Sequence, residues 1–330
     1  MKYLLTGGTG FIGGHLAGAL AERGETVHLL VRSLTGASHL DRPGIRLFEG
    51  DITDKESVER AMKGCTHVFH LAAFAKPFAK DPSRFHTVNV EGTINLLEAA
   101  KREGVRRVVF TSTAGTLLPT DAVRDAREDD PHPGTQLTPY AETKSLAEKE
   151  CRRYAGQGLE VVIVAPTRVF GPGAINESNS VTRIISLYRR GRWRIIPGNG
   201  RTIGNYVFVN DVVRGHLLAM EKGRSGQKYN LGGENLSFNS LFRLIGECTG
   251  RPRVVVRVPY PLLWLAAAGM TLMARLSGTP PMITPGWIRQ YLHHRRVSSN
   301  KARIELGYAI SPVKEGIGQT LQWLKENKTG

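Results

Sequence analysis

The sequence is poor in cysteine, with three among its 330 residues. Cys65, Cys151 and Cys248 are odd in number and far apart, which fits neither a disulfide framework nor the ligand spacing of a metal site. We therefore expect no structural disulfide and no metal. Because no signal peptide precedes the strand-like run 1–6, a reduced, cytoplasmic setting is the expectation.

Long apolar runs are also scarce. The stretch 258–274 holds 17 uncharged residues. Prolines near its start shorten any helix below the roughly 20 residues that cross a bilayer. We favour a buried core helix or a wall of an apolar substrate pocket. The alternative is a segment that dips into an anionic membrane surface, helped by nearby basic residues.

Acidic residues are the minority charge. Lys and Arg total 45 against 29 Asp and Glu, which gives a formal net charge of +16. Such an excess can attract nucleic acid, anionic lipid or a phosphorylated ligand. The basic clusters 189–194 and 293–296 do not lie in a recognisable nucleic-acid module. We therefore expect most of these residues to be solvated surface, and we expect no nucleic-acid partner.

A glycine-rich loop stands between a predicted strand and a predicted helix near the start of the chain. Residues 2–6 read as a buried strand, and the spacing of Leu16, Ala17 and Leu20 is typical of an amphipathic helix. Free N–H groups at the start of such a helix can hold phosphates. The glycines that allow a tight turn, close approach of a pyrophosphate and close helix packing are Gly7, Gly10 and Gly13.

The second predicted strand, 26–31, ends at Arg32 rather than at an acid. An acid in this place would hold the ribose 2′-hydroxyl of NAD, whereas a guanidinium suits a 2′-phosphate. Arg32 therefore favours NADP(H), with NAD(H) left open. An ordinary surface arginine is the alternative interpretation.

Two further segments are predicted to border a cofactor. Asp51 follows the strand 45–49 and can accept from an adenine amino group, or cap the helix that ends at Met62, or do both. The run Leu71, Ala72 and Ala73, which includes small residues, follows the strand 66–70. A cofactor would pass close to the chain at this point.

Strand and helix alternate through the first 111 residues. A helix at 88–103 precedes a strand at 107–111, and a further strand is predicted at 160–165. This alternation predicts an α/β fold with a doubly wound parallel sheet. Ligands of such sheets bind outside the carboxyl ends of the strands, so Thr113 is placed to meet a substrate.

Tyr140 and Lys144 are four residues apart in a predicted helix that runs through Cys151. This spacing puts both side chains on one helix face. There the ammonium of Lys144 can lower the pKa of Tyr140 toward the range of a general acid or base. The hydroxyls of Tyr140 and Thr113 could together hold a carbonyl oxygen. Taken alone, the pair also fits a solvated helix face.

Seven motifs occur in the order found in extended short-chain dehydrogenases/reductases, and the sequence is similar to this superfamily over essentially its whole length. Segments 211–216 and 231–235 look most like its dihydroflavonol-reductase, hydroxysteroid-dehydrogenase and hopanoid-associated branches. The motifs are TGGTGFIG (6–13), GDI (50–52), HLAA (70–73), NVEGT (89–93), TSTA (111–114), YAETK (140–144) and PTRVFGP (166–172).

The resemblance implies roles for individual residues. Tyr140 would be the acid/base, and Lys144 would lower its pKa and hold the nicotinamide ribose. Thr113 takes the place of a serine or threonine that orients the reacting oxygen, with Ser112 as a supporting neighbour. The residues expected to bind cofactor are Gly7, Thr9, Gly10, Phe11, Ile12, Gly13, Arg32, Asp51, Ile52, Leu71, Ala72, Ala73, Tyr140, Lys144, Pro166 and Val169.

The chain is expected to divide into two parts. Residues 1–173 would form the dinucleotide-binding domain, with 205–232 returning to it. Residues 174–204 and 233–330 would form a smaller, mainly α-helical substrate lobe.

Two further features of the sequence are interpreted as structural rather than catalytic. Asp211 and His216 lie on a predicted amphipathic helix and are read as a cap and a scaffold. The acidic run 121–130 is read as a solvated loop.

The expected function is hydride transfer between NADP(H) and a carbonyl or secondary alcohol of a bulky, largely apolar small molecule, by a homodimer. A nucleotide-sugar epimerase or dehydratase with tightly bound NAD is the alternative. Against it, Gly204 and Asn205 stand where sugar-nucleotide members carry a diphosphate-gripping arginine, although Arg201 could substitute. A non-enzymatic nucleotide sensor would normally lack the Tyr140–Lys144 pair.

Overall fold

The secondary structure follows the alternation that the sequence predicts. The computed structural model describes residues 1–76, 79, 81–131, 134, 136–173, 175, 179–277 and 285–327. Within these residues the strands are β1 (Lys2–Thr6), β2 (Thr26–Val31), β3 (Ile45–Glu49), β4 (His67–His70), β5 (Arg107–Thr111), β6 (Glu160–Pro166), β7 (Arg168–Phe170), β8 (Ile195–Pro197), β9 (Ile203–Phe208), β10 (Lys228–Leu231), β11 (Glu234–Ser237) and β12 (Val256–Val258).

The helices in the same residues are α1 (Phe11–Glu22), α2 (Leu34–Ala37), α3 (Lys55–Met62), α4 (Ser83–His86), α5 (Gly92–Arg102), α6 (Pro139–Ala155), α7 (Ser180–Arg189), α8 (Val209–Lys222), α9 (Phe238–Thr249), α10 (Tyr260–Ser277), α11 (Pro285–Leu292), α12 (Asn300–Leu306) and α13 (Val313–Glu326). Short 3₁₀ segments lie at Ser38–Leu40 and Ala114–Thr116, and a π segment lies at Thr87–Glu91.

Seven parallel strands form the large sheet, in the spatial order β3-β2-β1-β4-β5-β6-β10. The chain moves outward in one direction from β1 to β3 and in the other from β4 onward. The strand order therefore reverses between β1 and β4, and a doubly wound sheet binds ligands at the carboxyl ends of such a pair. The predicted doubly wound α/β fold is confirmed.

Two apolar cores cover the two faces of this sheet. Successive strand residues point to opposite faces. Accordingly Leu5 packs in one core with Leu16 and Leu20 of α1, whereas Leu4 packs in the other. The second core includes Val58 of α3 and also side chains of α5 and α6. Each fully buried leucine contributes about 1.5–3 kcal/mol, so the cores fix the frame on which the site is built.

The helix predicted at 88–103 begins earlier than expected. Helical structure starts at Ser83–His86, passes through the π segment Thr87–Glu91 and ends with Gly92–Arg102. In the widened turn the hydroxyl of Thr93 donates to the carbonyl oxygen of Asn89 at 2.7 Å. π-bulges of this kind are frequent at functional sites.

The remaining strands form two small sheets. Strand β9 was expected to return to the large sheet, but it pairs instead with β7 and β11. The Asn205 side chain favours this pairing because it bonds to Gly233 backbone atoms and to Thr167. Strand β10 does join the large sheet, parallel to β6. Strands β8 and β12 pair with each other.

The uncharged stretch 258–274 lies mostly in α10, and its favoured interpretation as a buried core helix is wrong. Only its small residues, such as Ala267 and Ala274, are buried, while leucines on its other side are exposed. A helix whose narrow contact stripe is alanine leaves its large side chains outside. In the described part of the chain no helix is long and apolar enough to cross a membrane.

The acidic run 121–130 is only partly a solvated loop. Val123 is exposed, but Ala126 is buried and forms a bridge with Val297. Asp125 pairs with Arg296 at 2.7 Å. A carboxylate oxygen of Glu128 accepts from the backbone N–H of Asn230 at 2.7 Å. These contacts dock the loop against the last part of the chain.

Candidate active site

The glycine loop connects β1 to α1 at the point where the strand order reverses. Gly7 has φ of +75°, and a Cβ there would lie 2.6 Å from the backbone nitrogen of Ala72. A Cβ on Gly13 would lie 2.2 Å from the carbonyl oxygen of Gly7. Larger residues are therefore excluded. Gly10 occupies the N-cap of α1 without a side-chain cap, which leaves the first N–H groups of the helix available to phosphate oxygens.

The run after β4 lies directly against this loop. The hydroxyl of Thr6 accepts from the backbone N–H of Ala72 at 3.2 Å, and it is 2.7 Å from Nδ1 of His70. Leu71, Ala72 and Ala73 are half-buried at the same edge of the sheet. The loop and the small residues are thus packed against each other at the edge of the sheet where a dinucleotide would lie.

The predicted adenosine-side residues lie at the ends of β2 and β3. Arg32 is exposed immediately after β2. Oδ1 of Asp51 accepts from the backbone N–H and the hydroxyl of Thr53, both at 2.9 Å. The expectation that Asp51 caps the next helix is wrong, since the N-cap of α3 is Asp54. Ile52 is buried in the second core, and its carbonyl oxygen accepts from the side chain of Asn95 at 3.1 Å.

Thr113 and Ser112 follow β5, as predicted. The hydroxyl of half-buried Thr113 accepts from the backbone N–H of Gly115 at 3.0 Å. Ser112 is buried and donates to Oε1 of Glu148 at 2.5 Å. Because Glu148 belongs to α6, this bond fastens the end of β5 to the helix that carries Tyr140 and Lys144.

Tyr140 stands in the first turn of α6, where Thr138 caps the helix. The side chain is half-buried, and burial raises the pKa of Tyr140 to about 12. We expected Lys144 to lower this pKa, and that expectation is wrong in this structure. Nζ of Lys144 lies over the ring of Phe110, 4.0 Å from its centroid. Burial lowers the pKa of Lys144 to about 8.

Asn89 links the cofactor cleft to α6. Its side chain accepts from the backbone N–H of Phe74 at 2.7 Å and donates to the hydroxyl of Thr143 at 3.0 Å. Thr143 stands between Tyr140 and Lys144, and its hydroxyl also donates to the carbonyl oxygen of Pro139. The π segment therefore holds the first turn of α6 at a fixed distance from the residues after β4.

Pro166 and Val169, expected to border the nicotinamide, are both buried. Pro166 ends β6 and lies opposite Leu231, and Val169 is the middle residue of β7. Asp211 and His216 are buried scaffold groups, as interpreted, but the interpretation of Asp211 as a helix cap is wrong, since the N-cap of α8 is Phe208. Asp211 accepts from the backbone N–H and hydroxyl of Ser311, each at 2.8 Å.

A pocket of about 120 Å³ begins at Thr113 and extends toward the last part of the chain. Nη1 of Arg295 donates to the carbonyl oxygen of Leu117 at 3.0 Å. Burial, followed by the charge of Arg168, lowers the pKa of Arg295 to about 10. The pocket lining holds no acidic side chain among the described residues, and it includes Thr113, Leu117, Leu118, Ala126, Arg168, Arg295 and Val297.

Sequence reasoning missed the ion pair behind the site and the three arginines of the pocket lining, Arg168, Arg295 and Arg296. Nζ of Lys228 lies 2.7 Å from Oε1 of buried Glu148. An acid on a helix and a lysine on a distant strand give no local signal. Arg168 lies inside the motif PTRVFGP (166–172), but no local pattern predicts that its side chain lines the pocket.

Comparisons with known proteins identify a family and several relatives that the chain resembles over most of its length. Residues 3–232 match the family model described as the NAD dependent epimerase/dehydratase family. The chain is 33% identical to sterol demethylase protein B of Methylococcus capsulatus, covering 99% of each chain. It is 32% identical to a farnesyl-dihydroquinoline-oxide ketoreductase of Stigmatella aurantiaca, covering 94% of this chain and 92% of the relative. It is 30% identical to mouse sterol-4-alpha-carboxylate 3-dehydrogenase, decarboxylating, covering 97% and 90%.

Solved structures share the same architecture. The crystal structure of the protein called gox2253 superposes with a TM-score of 0.84 at 32% identity, covering 99% of this chain and 98% of that one. Thermus thermophilus UDP-glucose 4-epimerase in complex with NAD superposes with a TM-score of 0.80 at 28% identity, covering 98% and 99%.

Proposed function

Because the chain belongs to the NAD dependent epimerase/dehydratase family, we propose that it transfers a hydride between NADP(H) and a carbonyl or secondary alcohol. The resemblance to extended short-chain dehydrogenases/reductases is thereby confirmed, and relatives named reductase and dehydrogenase identify the protein as an NAD(P)-dependent oxidoreductase. The substrate, the preference for NADP(H) and the roles of single residues are the proposal, as is a homodimeric assembly.

One observation carries the proposal: two buried side-chain bonds join the Tyr140–Lys144 helix to the cleft. Asn89 binds Thr143 at 3.0 Å on one side, and Ser112 binds Glu148 at 2.5 Å on the other. Catalytic groups must be held close to their productive geometry, and supporting hydrogen bonds of this kind provide that constraint. A surface helix with a chance Tyr-x-x-x-Lys spacing would not need them.

Tyr140 is suited to donate a proton in the reductive direction. A phenol with a pKa of about 12 is protonated at neutral pH, so it can donate to the oxygen of a substrate carbonyl. When bound, the nicotinamide supplies the hydride that the carbonyl carbon accepts. Lys144, with a pKa of about 8, is mainly cationic at pH 7 and would hold the nicotinamide ribose.

The residues of the cleft fit a dinucleotide. Gly7 and Gly13 leave no room for a Cβ, and the start of α1 offers uncapped N–H groups. These features would hold the pyrophosphate. Exposed Arg32 would contact the 2′-phosphate of NADP(H) with a charge-assisted bond.

The pocket next to Thr113 would take the substrate. Leu117, Leu118 and Val297 give it an apolar wall, and Arg295 gives it a cationic one. A largely apolar molecule with a polar or anionic group near the reacting carbon fits both walls. The three relatives named above act, by their names, on a sterol, a sterol carboxylate and a farnesylated quinoline oxide, which supports a bulky apolar substrate.

A nucleotide-sugar epimerase remains the second candidate because of the pocket arginines. A Cβ on Gly204 would lie 2.2 Å from Nη1 of Arg168, so this guanidinium fills the space beside the position where sugar-nucleotide members carry their arginine. Together with Arg295 it could hold a diphosphate. Arg201, which we had considered for that role, is exposed and does not line the pocket.

The deciding experiment measures both activities on one preparation. A panel of apolar ketones is incubated with the protein and NADPH, and then with the protein and NADH. Oxidation of the cofactor is followed by its absorbance. UDP-glucose is titrated calorimetrically into the protein saturated with NAD. Reduction of an apolar ketone without UDP-glucose binding is the expected result. Micromolar UDP-glucose binding that disappears in Arg295→Ala, with no ketone reduced, would overturn the proposal in favour of the epimerase.

A further inference from the structure

The outer side of α10 is apolar and is not covered by any described part of the chain. Leu262, Leu265, Leu272 and Met273 are 59%, 66%, 61% and 68% exposed. Their spacing places them along one side of the helix. Ala267, 0% exposed, faces the protein. The helix of a globular protein normally has polar residues on its outer side. These exposed apolar side chains therefore indicate contact with an apolar partner.

The apolar surface continues onto the strand pair that leads into α10. Val256 pairs with Ile195, and both side chains are exposed. Exposed arginines stand next to them in both strand segments. These are Arg192 and Arg194 before β8 and Arg257 within β12. Together, α10, β8, β12 and residues 192–194 are called the basic-apolar face below.

The positive charge of the sequence around this face favours a negatively charged partner. Segments 178–210 and 248–304, which contain this face, hold fifteen lysines and arginines and no aspartate or glutamate. The net charge of the whole chain is +16. The excess charge is therefore concentrated in these two segments. A second copy docking through the same face would bring like charges together, whereas an anionic surface would be attracted.

We propose that the basic-apolar face docks on anionic lipid membranes, with α10 lying in the plane of the interface. An 18-residue helix that is apolar on its free side and flanked by arginines has the composition of an interfacial helix. The leucines and Met273 enter the acyl boundary, and Arg192, Arg194 and Arg257 meet the headgroups. The inference does not depend on the proposed hydride transfer, because the proposed catalytic and cofactor residues lie outside this face.

The test is vesicle co-sedimentation of the full chain. Phosphatidylcholine vesicles are compared with vesicles containing about 30% phosphatidylglycerol, at roughly 0.05 M and 0.5 M salt. Binding is expected to the anionic vesicles and to weaken at high salt. Trp264 provides a second readout, since it is partly exposed on α10. The blue shift of emission on binding should be smaller in Trp264→Phe, which keeps Trp193 of the same face, while sedimentation persists.

Two sets of substitutions separate the apolar from the electrostatic contribution. Leu265→Ser/Leu272→Ser/Met273→Ser should weaken vesicle binding at least about tenfold, because apolar insertion is lost. Arg192→Gln/Arg194→Gln/Arg257→Gln should weaken it about fivefold per charge. The matched control is Val123→Ser/Ile304→Ser, which removes apolar side chains that are each 83% exposed elsewhere. All variants should keep the parent melting temperature, since exposed side chains are replaced.

Three results would overturn the proposal. The first is no binding of the parent protein to anionic vesicles at low salt. The second is unchanged binding in both the serine and the glutamine variants. The third is a dimer in solution that the serine substitutions dissociate, without vesicle binding by the parent, which would make a second copy the occupant of this face.

Discussion

Lys228 and Glu148 form a buried ion pair, with Nζ 2.7 Å from Oε1. The pair joins the edge strand β10 to α6, the helix that carries Tyr140 and Lys144. Burial alone would raise the pKa of Glu148, but Lys228 and the hydrogen bonds to the carboxylate outweigh burial and lower it. Ser112 and Thr116 bind the same oxygen. The position of α6 thus depends on a strand more than seventy residues later in the chain.

Lys228→Met should destabilise the fold because it leaves buried Glu148 with only the exposed Arg152, 3.4 Å from its other oxygen, as a counter-charge. The expected loss in the free energy of unfolding is about 3–5 kcal/mol, measured by urea denaturation. Adding Glu148→Gln should recover much of it, since the amide oxygen can still accept from Ser112. Arg23→Met, which breaks an exposed pair with Glu221, is the control and should cost about 1 kcal/mol or less. Equal losses in both single variants would contradict the interpretation.

Tyr140→Phe should abolish most turnover while leaving cofactor affinity intact, because only the proton-donating hydroxyl is removed. The expected drop in kcat is about 10²–10⁴-fold. Tyr154→Phe, at the other end of the same helix, is the matched control and should keep parent activity. Near-parent kcat in Tyr140→Phe would remove Tyr140 from the mechanism.

Arg32→Ala should weaken NADPH binding much more than NADH binding. Loss of a charge-assisted contact to phosphate costs on the order of 1.5–3 kcal/mol, and NADH has no 2′-phosphate to lose. Dissociation constants for the two cofactors are measured by fluorescence titration. Arg46→Ala serves as the control, since Arg46 is also exposed but lies on β3 opposite His28, four residues before Arg32 on the neighbouring chain segment. An equal effect of Arg32→Ala on both cofactors would show that Arg32 does not select NADPH.

Acid should destabilise this fold through two buried histidines. Burial lowers the pKa of His70 to about 3 and that of His216 to about 4, whereas an unfolded histidine titrates near 6.5. The unfolded chain therefore binds more protons than the folded one between these values, and stability falls as pH drops from about 6.5 toward 4. Each histidine contributes a slope of about 1.4 kcal/mol per pH unit.

The histidine contribution is isolated by substitution. Neutral His216 bridges the hydroxyl of Thr111 and the carbonyl oxygen of Val212. His216→Gln lowers stability at every pH but removes one titrating group. Its unfolding free energy should therefore fall less steeply than that of the parent between pH 6 and pH 4.5, by about 1.4 kcal/mol per unit. Parallel pH profiles for parent and variant would refute this account.

The local sequence predicted most of the large sheet because its signals are short in range. The strands at 2–6, 26–31, 45–49 and 107–111 were predicted with the bounds that the structure shows. Each is an apolar run bounded by turn residues. The glycine loop could also be predicted from the sequence, because the close approach of two backbone segments excludes every residue larger than glycine. The prediction was wrong for β9 because tertiary contacts, such as those of the Asn205 side chain, and not its own apolar run, decide its pairing with β7 and β11.

Local sequence specifies which residues can do chemistry, whereas the packing of distant segments sets the environment of those residues. Glycine spacing, strand ends and the Tyr140–Lys144 pair are set by a few neighbouring residues. The raised pKa of Tyr140 and the exposure of α10 depend on what the rest of the chain packs against them. Burial and desolvation are sums over residues distant in sequence, so no local pattern specifies them. The uncharged stretch illustrates the difference: its composition suggested a core helix, and packing placed only its alanines inside.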